Sequence, residues 1–155
     1  MTNEFNANDI FDIAIKIEQN GAIFYRDAAK LFEKEEHKQF LLELAKMEDF
    51  HETTFANMQK DLKEEEAFST TFDPKNENAL YLKALADTRV FFEKEQPGNS
   101  LQDILGAAIQ AEKDSIAFYL GMKEMVPAKL GQSKINDIIK EEMSHIRLLA
   151  EKLME

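Results

Sequence analysis

The sequence predicts an all-α protein, an antiparallel four-helix bundle with a short extra helix in the long crossover between bundle helices 2 and 3. Apolar residues recur three and four positions apart through most of the chain, which is the spacing of one helix face. The 155 residues include only five glycines and three prolines, so few positions interrupt a helix. The second half of the chain also repeats the pattern of the first. We therefore expect one domain over residues 1–155.

The first two helices are predicted at about residues 8–35 and 37–66. Asn8 and Asp9 suit a helix start, because their short polar side chains accept hydrogen bonds from free backbone N–H groups. The join between the two helices contains no glycine or proline, which favours a tight turn between antiparallel neighbours. His37 falls in that turn, and we expect it to be exposed.

The crossover is predicted over residues 67–99, with its short helix at about residues 79–95. Pro97 and Gly98 end that helix. Four phenylalanines make the crossover more apolar than a connector needs: Phe68, Phe72, Phe91 and Phe92. These side chains either pack on the bundle or form a dimer interface.

The last two bundle helices are predicted at about residues 100–125 and 133–154. Ser100 and Asp103 resemble a capping box in which Asp replaces Glu. Pro127 and Gly131 interrupt the pattern between the two helices, and Ser133 is the expected cap of the last one.

Composition excludes several classes of function. A net charge of −11 argues against nonspecific binding to nucleic acid or to an anionic membrane surface. The absence of cysteine excludes disulfides, thiolate zinc sites and iron–sulfur or rubredoxin-type centres in this sequence. No apolar run is long enough to span a membrane, and the first residues lack the features of a signal peptide. We expect a cytoplasmic protein without nucleic-acid or membrane partners.

Two sets of polar residues interrupt the apolar helix faces, and they lie ninety-four residues apart. In each set a Glu precedes a Tyr by seven positions and a Glu-x-x-His motif by thirty. The first set is Glu18, Tyr25, Glu48 and His51. The second set is Glu112, Tyr119, Glu142 and His145. The repeat predicts two helical hairpins of the same design that together form the bundle.

The two sets are typical of a dinuclear metal site. Residues three apart project from one face of a helix, so each Glu-x-x-His motif can bind one ion while a Glu from a facing helix bridges to a second. Four carboxylates balance the charge of two divalent cations, and their burial without metal would be strongly unfavourable. Carboxylates with imidazoles suit iron or manganese, whereas zinc usually takes four ligands with fewer carboxylates.

The same residues have simpler interpretations. With 30 acidic residues in the chain, single Glu and His spacings arise easily on solvated faces, but the doubled spacing argues against that explanation. Tyr25 and Tyr119 either pack in the core or donate a hydrogen bond to a ligating carboxylate of another helix. Glu52 and Glu141 point about 100° away from the neighbouring ligands, which favours solvent.

In its six ligand candidates the chain resembles the ferritin-like di-iron carboxylate proteins, and most closely their rubrerythrin-like branch. That family takes one Glu from each of two helices and Glu-x-x-His from each of the other two. The matching residues are Glu18, Glu48, His51, Glu112, Glu142 and His145. The resemblance implies two iron ions, with manganese as the alternative, and an oxidoreductase that reacts reduced iron with hydrogen peroxide or dioxygen.

The chain departs from the rubrerythrin pattern in two respects. It has no Cys-rich rubredoxin domain, and Ser115 stands where peroxide-reducing rubrerythrins carry an extra Glu. Both departures argue against a fast peroxide-reducing cycle, and neither affects metal binding. We expect an external electron-donor protein and a homodimer. Iron storage in a large hollow assembly and a non-catalytic helical interaction module are the alternatives.

Overall fold

A computed structural model describes residues 7–63, 77–88, 98–126 and 131–155 of the chain. Within these ranges the chain forms five α-helices, numbered in chain order: α1 (Ala7–Ala29), α2 (Glu35–Lys63), α3 (Glu77–Thr88), α4 (Leu101–Lys123) and α5 (Gln132–Leu153). The described residues contain no strand. The prediction of an all-α bundle with a short extra helix in the crossover is confirmed.

Helices α1 and α2 form an antiparallel hairpin, as their contacts show. The side chain of Gln59 reaches back to Asn8 near the start of α1, whereas Arg26 near its end pairs with Asp49. Residues later in α1 therefore contact residues earlier in α2, as in antiparallel helices. This first hairpin brings Glu18 level with the middle of α2.

The turn between α1 and α2 lies earlier than predicted. Helix α1 ends at Ala29, and the next backbone N–H groups bond three residues back, as Lys30 N does to Asp27 O. Phe32 then packs against the core. Helix α2 begins three residues later, at Glu35. His37 lies in the first turn of α2 instead of the connection, and it is half-buried beside the Phe32 ring. The expectation that it is exposed was wrong.

Helices α4 and α5 form the second hairpin. The Ser100 hydroxyl accepts a hydrogen bond from the backbone N–H of Asp103 at 3.1 Å, so the predicted cap of α4 is confirmed. The predicted cap at Ser133 was wrong, because α5 begins at Gln132 and Gly131 is its N-cap. The Gln132 amide donates to the carbonyl oxygens of Lys123 and Val126, which holds the chain in the connection up to that residue.

The two hairpins meet with α1 against α4, and tyrosine hydroxyls donate hydrogen bonds between these two helices. Tyr25 bonds to Glu112, and Tyr119 bonds to Glu18, so these helices also run antiparallel. Among the described residues, two apolar clusters occupy the core. The first lies around Phe11, Phe55 and Phe118, and the second around Leu41 and Leu105. The polar positions of all four bundle helices fall between these clusters, where solvent is excluded.

Helix α3 packs on the outer side of α4. Leu82 is fully buried, and the Tyr81 hydroxyl donates to the carbonyl oxygen of Ala117 at 3.3 Å. Gly121 makes this approach possible, since a Cβ atom there would lie 2.8 Å from Leu82 Cδ2. The rest of the predicted crossover helix after Thr88 lies outside the described residues, as do residues 64–66 of the second helix and all four crossover phenylalanines.

Among the described helices, none combines the length and apolar character needed to cross a membrane.

We predict that replacing Ser100 with Ala lowers the free energy of unfolding by about 1 kcal/mol, because the substitution removes the side-chain acceptor at the start of α4. Ser133→Ala is the matched control. Ser133 is exposed inside the first turn of α5, so its loss should have little effect. Urea unfolding followed by circular dichroism measures both, and equal losses would contradict the assigned starts of α4 and α5.

Candidate metal centre

All six predicted ligands lie at the same level of the bundle, and all are buried. Each of the four bundle helices contributes a Glu, and α2 and α5 each add a His one turn further along. The exposed fraction is 0% for Glu18 and His51 and reaches only 3% for His145. Helices α2 and α5 run in opposite directions, since Lys152 pairs with Glu36 and Glu141 contacts His51. Their Glu-x-x-His motifs meet across the bundle, where His51 lies near Glu142 and His145 near Glu48. The structure thus brings together the whole predicted set.

The ligand atoms form two groups of four. One group consists of Glu18, Glu48, His51 and Glu142, and the other of Glu48, Glu112, Glu142 and His145. Within each group the oxygen and nitrogen atoms lie within 4.8 Å of one another. Glu48 and Glu142 belong to both groups. If each group held one ion, the carboxylates of the Glu-x-x-His motifs would serve both ions, whereas Glu18 and Glu112 each belong to one group.

The hydrogen bonding of these side chains is incomplete. Several buried ligand atoms make no well-aligned hydrogen bond with the described residues, although His51 Nδ1 and Glu142 Oε1 lie 2.7 Å apart. These atoms include Glu18 Oε2, Glu48 Oε1, His51 Nδ1, Glu112 Oε2, Glu142 Oε1 and His145 Nδ1. Each ligand has at least one such atom, which is a pattern that buried polar groups normally avoid. The same six residues form the two ligand groups, three carboxylates and one imidazole for each ion. The residues therefore fit a pair of cations with affinity for oxygen and imidazole ligands.

Two tyrosines connect the hairpins through Glu18 and Glu112, the carboxylates that each belong to one ligand group only. The Tyr25 hydroxyl donates to Glu112 Oε1 at 3.0 Å, and the Tyr119 hydroxyl donates to Glu18 Oε1 at 2.8 Å. Both phenols are fully buried. Burial, followed by the nearby carboxylates, raises the pKa of each phenol well above its usual value, so both remain donors at neutral pH. The expected bond between each phenol and a carboxylate of another helix is present.

One residue beside the centre does not follow the sequence-based expectation. Glu141 is not simply solvated: its side chain is 40% exposed, but its carboxylate contacts Nε2 of His51 across the seam between α2 and α5. Glu52 does point outward, where it accepts a hydrogen bond from Gln19. The repeat itself contained a signal, since the residue ninety-four positions before Glu141 is Met47. An apolar counterpart argues against a fully solvated position, and Met47 is 36% exposed.

The electrostatics of the site follow from burial and crowding. Burial, and then repulsion from the other carboxylates, raises the pKa of Glu48 and of Glu142 well above its usual value. For Glu112 burial also raises the pKa, but the nearby Glu142 and His145 side chains outweigh it, so that pKa is lowered. Without cations, the two shared carboxylates therefore favour the protonated form. Bound cations would reverse this preference.

Comparison with known proteins supports the same architecture. No family model and no curated protein matches the chain. Among solved structures, the chain is similar to a Thermotoga maritima protein described as a candidate ferritin-like diiron-carboxylate protein. The two share 27% identity over 100% of this chain and 99% of the other, with a TM-score of 0.73. The fold is therefore ferritin-like, and the two ligand groups lie inside it.

We predict that the metal-free protein loses stability as the pH rises from about 5 through neutrality. In the unfolded chain Glu titrates near pH 4.3, whereas Glu48 and Glu142 retain their protons to higher pH when folded. Over that interval the folded state binds more protons than the unfolded state, so the free energy of unfolding falls with pH. Urea unfolding in the presence of a chelator measures this slope.

Glu48→Gln keeps the size of the side chain and removes one of the titrating groups, so it should flatten the slope. Glu52→Gln is the control, because Glu52 is only partly buried and lies outside both ligand groups. A metal-free wild-type protein whose stability rises over the same interval would contradict the assigned direction of the two pKa shifts.

Proposed function

We propose that the chain is a di-iron carboxylate oxidoreductase of the rubrerythrin-like type, which reacts reduced iron with hydrogen peroxide or dioxygen. The observation that carries this proposal is the pair of four-residue ligand groups that share Glu48 and Glu142. The similarity of the whole chain to the Thermotoga maritima protein supports iron as the metal. Manganese is the alternative, because it prefers the same donor atoms.

The ligands would divide between the two ions according to their groups. Glu18 and His51 would hold one ion, Glu112 and His145 the other, and the shared carboxylates would contact both. Their four negative charges would balance two divalent cations. When bound, a pair of ferrous ions supplies the two electrons that, with two protons, reduce one hydrogen peroxide to two waters.

The surrounding side chains would keep this site rigid and closed to bulk water. Tyr25 and Tyr119 each fix one oxygen of a carboxylate. The second oxygen, Glu112 Oε2 or Glu18 Oε2, then has no hydrogen-bond partner among the described residues. The phenol protons remain on their oxygens at neutral pH because the phenol pKa values are raised. The apolar clusters on both sides limit the approach of water along the bundle.

The choice of oxidant depends on Ser115, which lies one turn after Glu112. Its hydroxyl donates to the carbonyl oxygen of Ala111 at 2.9 Å, so it is bonded to its own helix. A Glu at this position would add a further carboxylate near the site. We therefore propose that slower peroxide reduction or a ferroxidase-like reaction with dioxygen suits this chain better than a fast peroxidase cycle.

The proposal includes an external electron donor, because the sequence contains no cysteine for an iron–sulfur or rubredoxin-type centre. It also includes a homodimer in the cytoplasm. Iron storage is the second candidate, and it would require a large hollow assembly. A non-catalytic interaction module is the third, and it would leave the buried carboxylates without cations. Particle size distinguishes storage from the first candidate, and metal content distinguishes the interaction module.

The decisive experiment is metal analysis of protein purified without added metal, followed by an anaerobic Fe(II) titration and exposure to peroxide or dioxygen. We expect two ions per chain, one for each ligand group. Faster oxidation by peroxide would support the peroxidase-like reaction, and faster oxidation by dioxygen the ferroxidase-like one. Two manganese ions would indicate peroxide disproportionation. A chain that binds no metal would contradict the proposal.

A double substitution tests the ligand assignment. Glu48→Ala with Glu142→Ala removes both shared carboxylates, so we expect the protein to lose both ions. The control is Glu43→Ala with Asp137→Ala, which removes two acids that lie outside both ligand groups from the same two helices. Metal content by elemental analysis measures the effect. Unchanged stoichiometry in the first variant would contradict the role of Glu48 and Glu142.

A further inference from the structure

Two surface clefts lie along the seam between α2 and α5, and the ninety-four-residue repeat relates them to each other. The larger cleft, of about 450 Å³, includes Met47 and Leu44 in its wall. The smaller cleft, of about 310 Å³, has Glu141 and Ile138 at the equivalent positions. Glu141 lies between the clefts and borders the larger one as well. The clefts are therefore equivalent in position but different in chemistry.

The two clefts differ in the residues that they place beside the two imidazoles. In the smaller cleft the Glu141 carboxylate contacts Nε2 of His51, and His51 is absent from the cleft wall. In the larger cleft His145 itself forms part of the wall, with Met47 at the position equivalent to Glu141. His145 Nε2 is buried and has no hydrogen-bond partner among the described residues. We call Nε2 the outer nitrogen of each imidazole. The outer nitrogen of His51 contacts a carboxylate, whereas that of His145 has no such contact among the described residues.

The inner sides of the imidazoles are more alike. His51 Nδ1 lies 3.6 Å from Glu18 Oε1, and His145 Nδ1 lies 3.6 Å from Glu112 Oε2. The contacts across the bundle differ moderately, at 2.7 Å from His51 Nδ1 to Glu142 and 3.5 Å from His145 Nδ1 to Glu48. The two halves of the centre are therefore matched in donor type, and the outer nitrogens provide the clear chemical distinction.

We propose that Glu141 is a positioning residue that makes the two metal positions unequal, so that the position with His51 binds a divalent cation more tightly than the position with His145. A carboxylate that accepts the Nε2 proton fixes the tautomer in which Nδ1 carries the free lone pair. It also makes Nδ1 a stronger electron-pair donor to a metal ion. The Met47 thioether is at best a weak acceptor. This inference rests on the proposed binding of two ions.

The test is a titration with Co(II), whose visible absorption reports ligand geometry and whose binding does not depend on catalytic turnover. The wild-type protein should bind two equivalents in two steps of different affinity. Glu141→Met places the same residue at the two equivalent positions beside the imidazoles, and it should weaken the tighter step by about 10- to 100-fold so that the steps merge. Met47→Glu supplies the missing carboxylate, and it should tighten the weaker step.

Two further variants separate positioning from charge. Glu141→Gln keeps an acceptor for the Nε2 proton without the charge, so it should retain part of the difference between the steps. Glu43→Met removes an equal charge from the wall of the larger cleft, and it should leave the tighter step unchanged. Thermal unfolding of each metal-free variant shows that the fold is retained.

The outcomes separate this inference from the proposed function. A tighter step that Glu141→Met leaves unchanged, or that Glu43→Met weakens equally, would overturn the role of Glu141. A weaker step that Met47→Glu does not tighten would overturn the explanation of the asymmetry. Two equal steps in the wild-type protein would overturn the inference but leave a dinuclear centre. A wild-type protein that binds no Co(II) would instead contradict the proposed function.

Discussion

The constraint on which this structure depends is the burial of four carboxylates at one level of a helical bundle. In the part of the chain that the structure describes, their ion pairs are all with His51 and His145. Two imidazoles cannot neutralise four negative charges, and desolvation makes the imbalance costly. Either protons or cations must compensate. The raised pKa values of Glu48 and Glu142 describe the first case, and the unpartnered ligand atoms are suited to the second.

The bundle supports this polar layer by enclosing it and by connecting its halves. Apolar clusters lie on both sides of the layer, so water has no direct access along the core. The reciprocal bonds of Tyr25 and Tyr119 run between α1 and α4, and each joins one hairpin to a carboxylate of the other. Each ligand group takes residues from both hairpins, so a single hairpin would supply only part of either group. The metal centre and the pairing of the hairpins are therefore parts of the same arrangement.

The sequence predicted the features that depend on helix periodicity and on the repeat: the bundle, the extra helix and the set of residues that the structure brings together. It predicted less well where tertiary contacts decide. The turn after Ala29 depends on the burial of Phe32, and the start of α5 depends on the bonds of Gln132 to the preceding connection. The contact of Glu141 with His51 depends on how closely α2 approaches α5, which no local pattern records.

The two hairpins have a consequence for the origin of such a centre. The α1–α2 hairpin carries two glutamates and one histidine of the ligand set, so two copies of it contain the same ligands as the whole chain. A half-length peptide could build this centre as a symmetric dimer, in which every substitution would appear twice. Joining the halves in one chain removes that restriction. Met47 and Glu141 show the result, since equivalent positions can then take different residues.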